Sequence, residues 1–495
     1  MAINTSLAAL DEKYFDFAHA RHLLNRAGFG GTPAQIEALR DMGLNRAVDL
    51  LVDFQKIDDS QHLPAAKINA DILKPPTKEQ RREIRQARRS NDQAVLDRLE
   101  VMRRQQRQGD RRQSEDLGRW WMARIISTPR PLEEKLVLLW HSHFASNYRT
   151  VRDSFLMYRQ HMLIRKYANG SFAKLAHAMI RDPAMIRFLD NHNNHKRKPN
   201  ENLARELMEL FMLGEGNYTE QDIKQGARAL TGYTFHDNEF VFRQQMHDNG
   251  SKSILGQKGN FDGDDFVDIL LKQPACPRFV CYKLYRHFVG DLDEQVTPSA
   301  RKIIFKMARV LAAKRYRLSP LLKTLFKSRH FYDPSVMAGK IKSPVQLIVG
   351  TVRALGTPTR NLDVLIDAMS SMGQRLFNPP SVAGWPGGRN WINTSTLFVR
   401  QNMATYLITG KLPYRDGWSQ RDVEYEPMAL VAELPKRTPE TVVDHLLSSF
   451  VAGSVAVQRR DQLVTFMGER GGRITEERMI GLLLMITAMP EYQLC

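Results

Sequence analysis

RDPAMIRFLDNHNNHKRKPNENLARELMELFMLGEGNYTEQDIKQGARALT, residues 181–231, holds the densest cluster of potentially chemical side chains in the chain. Asn200 after Pro199 supplies an N-cap, Glu201 suits the positive end of a helix dipole, and Gly214 and Gly216 supply the stop. Between them, at about 100° per residue, Leu203, Leu207, Leu210 and Phe211 fall on one side, with Met208 and Met212 widening it. Asn202, Arg205, Glu206 and Glu209 gather into one narrow polar stripe. So broad an apolar arc predicts a mostly buried helix. Its stripe then faces either a strip of water, with an Arg205–Glu209 pair, or an internal polar cleft to which the loop from Asp190 to His195 adds further groups.

The flanking sequence is helical too. Residues 117–146 carry Trp120, Trp121, Leu136, Leu139, Trp140 and Phe144 around His141 and His143. Residues two apart on a helix point about 200° away from each other, so this His-x-His pair cannot bite one metal together. His143, on the face of Leu136, Trp140 and Asn147, is the better candidate, against the plainer role of a hydrogen-bonded core histidine. Nearer the amino terminus, Thr32 and Pro33 open a helix after GFGG, and His22 with Arg26 could form one wall of an anionic pocket. The predicted fold class is therefore mainly α: a large multi-helix body with a small β-hairpin or irregular insertion near 232–262 and a long basic helical arm.

The insertion is the one place with a β flavour, YTFHDNEFVF followed by glycine-rich turns. His247, Asp248 and Lys252 lie there on irregular backbone, where functional groups are often presented. Asp262, Asp264, Asp265 and Asp268 miss the EF-hand pattern and read instead as the cap and first turn of a helix. At 377–393, FNPPSVAGWPGGRNWIN is a Pro/Gly loop whose Trp385 and Arg389 either close over a cleft or plug the core. Residues 1–73 read as N-terminal helices, 74–116 as the basic arm, 117–411 as the main body, 412–440 as a linker and 441–495 as a C-terminal helical segment.

Charge narrows the partners. Among 495 residues, 72 Lys and Arg face 54 Asp and Glu, a formal net charge of +18, which favours acidic partners such as nucleic acid, an anionic polysaccharide or a membrane surface. Residues 74–112 alone hold 13 basic and 6 acidic side chains and no interleaved aromatics, which suits a solvated helical hairpin or a phosphate clamp better than a base-stacking platform. Cys276, Cys281 and Cys495 show no metal-ligand spacing and argue against a disulfide framework. No stretch is apolar enough for a membrane span, and the amino terminus lacks a signal-peptide pattern, so a cytoplasmic location is expected.

RDPAMIRFLDN, PNENLARELMELFMLGEGNYTE and ARALTGYTF, with RHLLNRAGFGGTP at 21–33, LVLLWHSHFASN at 136–147, HDNGSKSILGQKGNFDGDD at 247–265 and FNPPSVAGWPGGRNWIN at 377–393, resemble the bacterial family known as "domain of unknown function 1800". The resemblance spans most of the chain and implies a helical fold, without supplying a reaction. The loop NHNNHKRK departs from the family's usual Gln-Asn-Arg-Lys-Gly, which weakens a role for His192 or His195. Relatives often stand beside a twin-arginine-exported companion of the "domain of unknown function 1501" family; the resemblance thus implies such a partner and co-export with it.

Walker, GxSxG, HExxH and CxxC motifs are absent. Three functions remain open: an enzyme with a polar pocket acting on an anionic substrate, a non-catalytic partner or assembly factor for a companion protein, and a polyanion or nucleic-acid binder working through the arm. For the enzyme, Glu206, His247 and Asp248 are the expected acid/base groups, and Arg205, Lys252, Trp385 and Arg389 the substrate-binding ones. His143, His247 and Asp248 would suit zinc or iron. Polar interruptions of buried helices cost stability unless paired, which favours the enzyme and a common hollow beside Glu206.

Overall fold

Short polar side chains set the helix starts. Thr32 accepts from the Gln35 backbone, Thr219 from Asp222, and Asp262 from both Asp264 and Asp265, so the acidic run is a cap as expected. The computed structural model describes residues 3–60, 64–74, 76–292, 296–411, 413–414, 417–418, 424–469 and 473–495. It is mainly α. Trp121, Trp140, Phe144, Phe172 and Phe211 lie in the middle of a continuous apolar core, which the C-terminal segment shares. There helix Glu476–Ala488 packs on Thr394–Thr409, and Pro439–Phe450 packs on Phe17–Ala27. Part of the expected linker, residues 412, 415–416 and 419–423, lies outside the described residues.

The basic arm is a helical hairpin. Helix Lys78–Ser90 ends on Asn91 in the left-handed region (φ 50°), and Asp92 caps helix Gln93–Ser127. That second helix is 35 residues long and runs without a break from the arm into the body. The boundary expected at 116/117 therefore falls inside one continuous helix, where Leu117, Trp121 and Ile125 join the core.

The insertion forms two antiparallel ribbons, Tyr233–His236 with Glu239–Phe242 and Lys252–Ile254 with Gln257–Gly259. Asp237 and Asn238, at φ 48° and 65°, supply the tight turn that fits the right-handed twist of the first. Among the described residues no helix is long and apolar enough to cross a membrane. All three cysteines are free and buried.

The central segment departs from the expected regular helix. It is α-helical only over Asn202–Glu206 and widens into a π-helix over Leu207–Met212. Asn200 Oδ1 accepts from the Asn202 N–H at 3.0 Å, and the backbone N–H groups of Leu213 and Gly214 both donate to the Met208 carbonyl. A π turn inserts extra backbone into the helix, so its carbonyls become available to other elements. One of them reaches the candidate site.

Candidate functional site

The expected hollow beside Glu206 is not where the chemistry gathers. Arg205 donates to both carboxylate oxygens of Glu220, at 2.7 and 2.8 Å, and to Glu201, while Glu209 accepts from the Tyr218 hydroxyl. The expected Arg205–Glu209 pair is thus replaced by partners across the following turn. Glu206 is half-buried; burial and the neighbouring Glu209 raise its pKa, but it faces no histidine of the expected set.

The insertion residues form a separate structural knot. His247 Nδ1 lies 2.9 Å from the Thr231 carbonyl oxygen, and Asp248 takes a bidentate pair of bonds from Arg228 at 2.7 and 3.0 Å. The buried Lys252 ammonium donates to the carbonyls of Asp248 and Gly250 and to Asn260. His143 lies elsewhere. The expected metal trio of His143, His247 and Asp248 is not assembled, and among the described residues no group of three or more His, Cys, Asp or Glu is arranged to hold a metal. The reason is competition: each of these groups already has a backbone or arginine partner of its own.

Instead, a cavity of about 130 Å3 forms where five segments meet. Helix Pro131–His143 contributes Lys135, Ser142 and His143, of which Lys135, Leu139 and His143 are spaced four apart on one face. Helix Ala275–Phe288 contributes Lys283, Arg286 and His287, and Asp291 follows it. Arg26 comes from the first long helix, Lys340 and Gln346 from the turn and helix near 340–346, and Trp385 and Trp391 from the Pro/Gly loop. Of the expected site residues, His143 and Trp385 are brought together here; Arg389 is exposed and does not line the cavity.

The Pro/Gly loop is fastened to the end of the His143 helix. Ser142 Oγ accepts from the Trp385 backbone N–H at 3.0 Å, and Arg286 donates to the Pro386 carbonyl. Gly384 sits at φ 86°, and a Cβ there would lie 2.1 Å from the Ser142 carbonyl oxygen, so only glycine permits the approach. Trp385 is consequently both a core filler and a cavity wall.

Charge in the cavity is unbalanced. Arg26, Lys135, Lys283, Arg286 and Lys340 share the cavity lining with Asp291 and Cys495. Lys340 takes Asp291 at 2.6 Å, and Arg26 donates to the carbonyls of Phe288, Val289 and Val336. Among the described residues Lys135 has no carboxylate within ion-pair distance; its ammonium donates to Gln346 Oε1 and stands 4.8 Å from the centre of the Phe29 ring. Burial lowers Lys135 to about 7 and Lys283 to about 8. His143 is pushed down to about 3 by burial and by Lys283, and His287 well below its ordinary value by burial and by Lys135, so both rings are neutral at pH 7.

Among the described residues, five buried nitrogens of side chains that line this cavity have no hydrogen-bond partner: Arg26 Nε, His143 Nδ1, His287 Nε2, Gln346 Nε2 and Trp385 Nε1. Three are donors, and His143 Nδ1 is an acceptor because the other ring nitrogen donates to a carbonyl. Buried polar groups without partners are uncommon and concentrate where something else must bind. Sequence reasoning missed Lys135, Lys283, Arg286, His287 and Lys340. The available signal was a lysine within a helix buried on nearly every side, and a Lys/His pair spaced four apart in an aromatic helix. His22, expected beside Arg26, instead packs on Phe331 with a ring separation of 4.5 Å and does not line the cavity.

No curated protein and no solved structure matches the chain. The family model described as "Protein of unknown function (DUF1800)" matches residues 22–494, nearly the full length, and the chain belongs to that family.

Proposed function

We propose that the protein is an enzyme whose substrate is a small organic anion held in the cavity under the Trp385 loop. The observation that carries this reading is the coincidence, in one cavity, of excess positive charge with five partnerless buried nitrogens. Uncompensated buried cations are costly, and an anion that neutralises them while accepting from Arg26, Gln346 and Trp385 removes both penalties at once. A cavity of about 150 Å3 takes benzene, so this one suits a ligand of about six non-hydrogen atoms. The neutral His143 and His287 rings supply lone pairs able to accept a proton from such a ligand.

Calorimetric titration with acetate, lactate, pyruvate and inorganic phosphate tests the reading. Saturable binding of at least one of them, weakened by both Trp385→Phe and Arg286→Met, is the expected result. Absence of binding by all four, or affinity indifferent to both substitutions, overturns it.

A second reading concerns the arm. Arg82, Arg85, Arg88, Arg89, Arg103 and Arg104 are exposed there, and none has an ion-pair partner among the described residues. Such a ridge fits a polyanion held through its phosphates or sulfates. Heparin or duplex DNA binding that falls steeply with salt and disappears when the six arginines become glutamine supports it; binding that survives the six substitutions removes it.

A further inference from the structure

We infer that Lys135 is a nucleophilic amine, placed to form an imine with the carbonyl carbon of a small 2-oxo acid whose carboxylate the neighbouring cations hold. This rests on the cavity being the seat of an anionic ligand, and it goes further by naming the bond that forms.

The geometry singles out this lysine. Lys340 is engaged by Asp291, and Lys283 is less buried and lies against Phe279. Lys135 alone is buried in the cavity wall with an amide oxygen, not a carboxylate, as acceptor. Its position is fixed by Phe29 on one side and Gln346 on the other. The two partnerless imidazole nitrogens border the same cavity, and the His287 ring lies close to the Lys135 backbone. An ammonium so desolvated, with Lys340 and Arg26 repelling it, gives up its proton readily and exposes a lone pair.

The chemistry balances without an oxidant. The Lys135 lone pair attacks the carbonyl carbon, forming the C–N bond, and the carbonyl oxygen takes up a proton that the nitrogen loses through an imidazole lone pair. The resulting hydroxyl leaves as water after receiving one further proton from solvent, and the nitrogen keeps one hydrogen as a protonated imine. Pyruvate, with six non-hydrogen atoms, is of the size the cavity admits.

The test is reductive trapping on the full chain with pyruvate and sodium cyanoborohydride, followed by peptide mapping. We expect one reduced pyruvate per chain on Lys135, with a trapping rate half-maximal near pH 7 and suppressed by excess lactate, which carries the same carboxylate but no carbonyl. Lys135→Met and Lys135→Arg should both abolish the adduct, with circular dichroism verifying their fold, whereas the exposed Lys302→Met should leave it unchanged. Because the adduct is located on the unmodified chain, misfolding of either variant does not obscure the result. Label spread over exposed lysines, or concentrated on Lys283, overturns the inference. Lactate binding without a Lys135 adduct removes the imine but leaves the anion site standing; neither binding nor adduct removes both.

Discussion

His143 donates its Nε2–H to the carbonyl oxygen of Phe211 at 2.9 Å, joining the end of one buried helix to the π turn of another. The bond fixes the tautomer, so the Nδ1 lone pair is left at the cavity. His141, two residues earlier, turns away and bonds His161 at 3.1 Å. One backbone interaction therefore decides which imidazole is structural and which is available for chemistry.

His143→Phe tests this assignment, since aromatic bulk is retained among Trp140, Phe144 and Phe172. The Phe211 carbonyl loses its donor, and a buried acceptor left unpaired costs about 1–3 kcal/mol. The expected outcome is a folded protein with a lower melting temperature and, for an anion with a hydroxyl to donate to Nδ1 such as lactate, roughly tenfold weaker binding, the worth of one hydrogen bond. Calorimetry on the same preparation reads both quantities.

Arg205→Met should leave anion binding unchanged. Its guanidinium is occupied by Glu220 and Glu201 on a partly exposed surface, where ion pairs contribute little. A large loss of affinity in this variant would return the site to the Glu206 stripe.

Glu134→Gln should be strongly destabilising. Glu134 is fully buried and accepts from Trp121, Arg124 and both terminal nitrogens of Arg165. Burial pushes its pKa upward, but Arg165 and Arg124 outweigh that and hold it below 4.5. Because the folded value is depressed, the stabilisation is complete above 4.5 and is lost as pH falls through the folded pKa. Chemical unfolding at pH 7 should show a deficit of about 3–5 kcal/mol. The gap between wild type and variant should then narrow as the pH falls below 4.5.

Gly384→Ala places a Cβ against the Ser142 carbonyl in a backbone conformation unsuited to alanine. The loop must lift from the His143 helix, at a cost of about 1–3 kcal/mol for the strain alone. Red-shifted tryptophan emission and weakened anion binding are expected together. Unchanged emission with normal stability would show that the loop is not held by this contact.

Much of the architecture was legible because it follows local rules. The basic hairpin followed from composition, and the acidic run at 262–268 from the cap it forms. The β insertion followed from its aromatic run and the turns beside it. The site was only half legible. His143 and Trp385 were recognisable as unusual polar or amphipathic groups in apolar surroundings, whereas Lys135 was hidden inside a segment that reads as ordinary helix.

The sequence by itself determined capped helix starts such as those at Thr32 and Asp262, and that His141 and His143 diverge, since these depend on residues within a few turns of one another. Only the tertiary structure decided which faces stand opposite. Arg26, Lys135, Lys283, Lys340 and Trp385 come from distant segments and share a cavity because the packing of the core brings those segments together. His247 and Asp248 are held by partners closer at hand, and Glu206 does not line that cavity. Helical periodicity fixes the direction of a side chain; what it meets is set by the packing of the whole core.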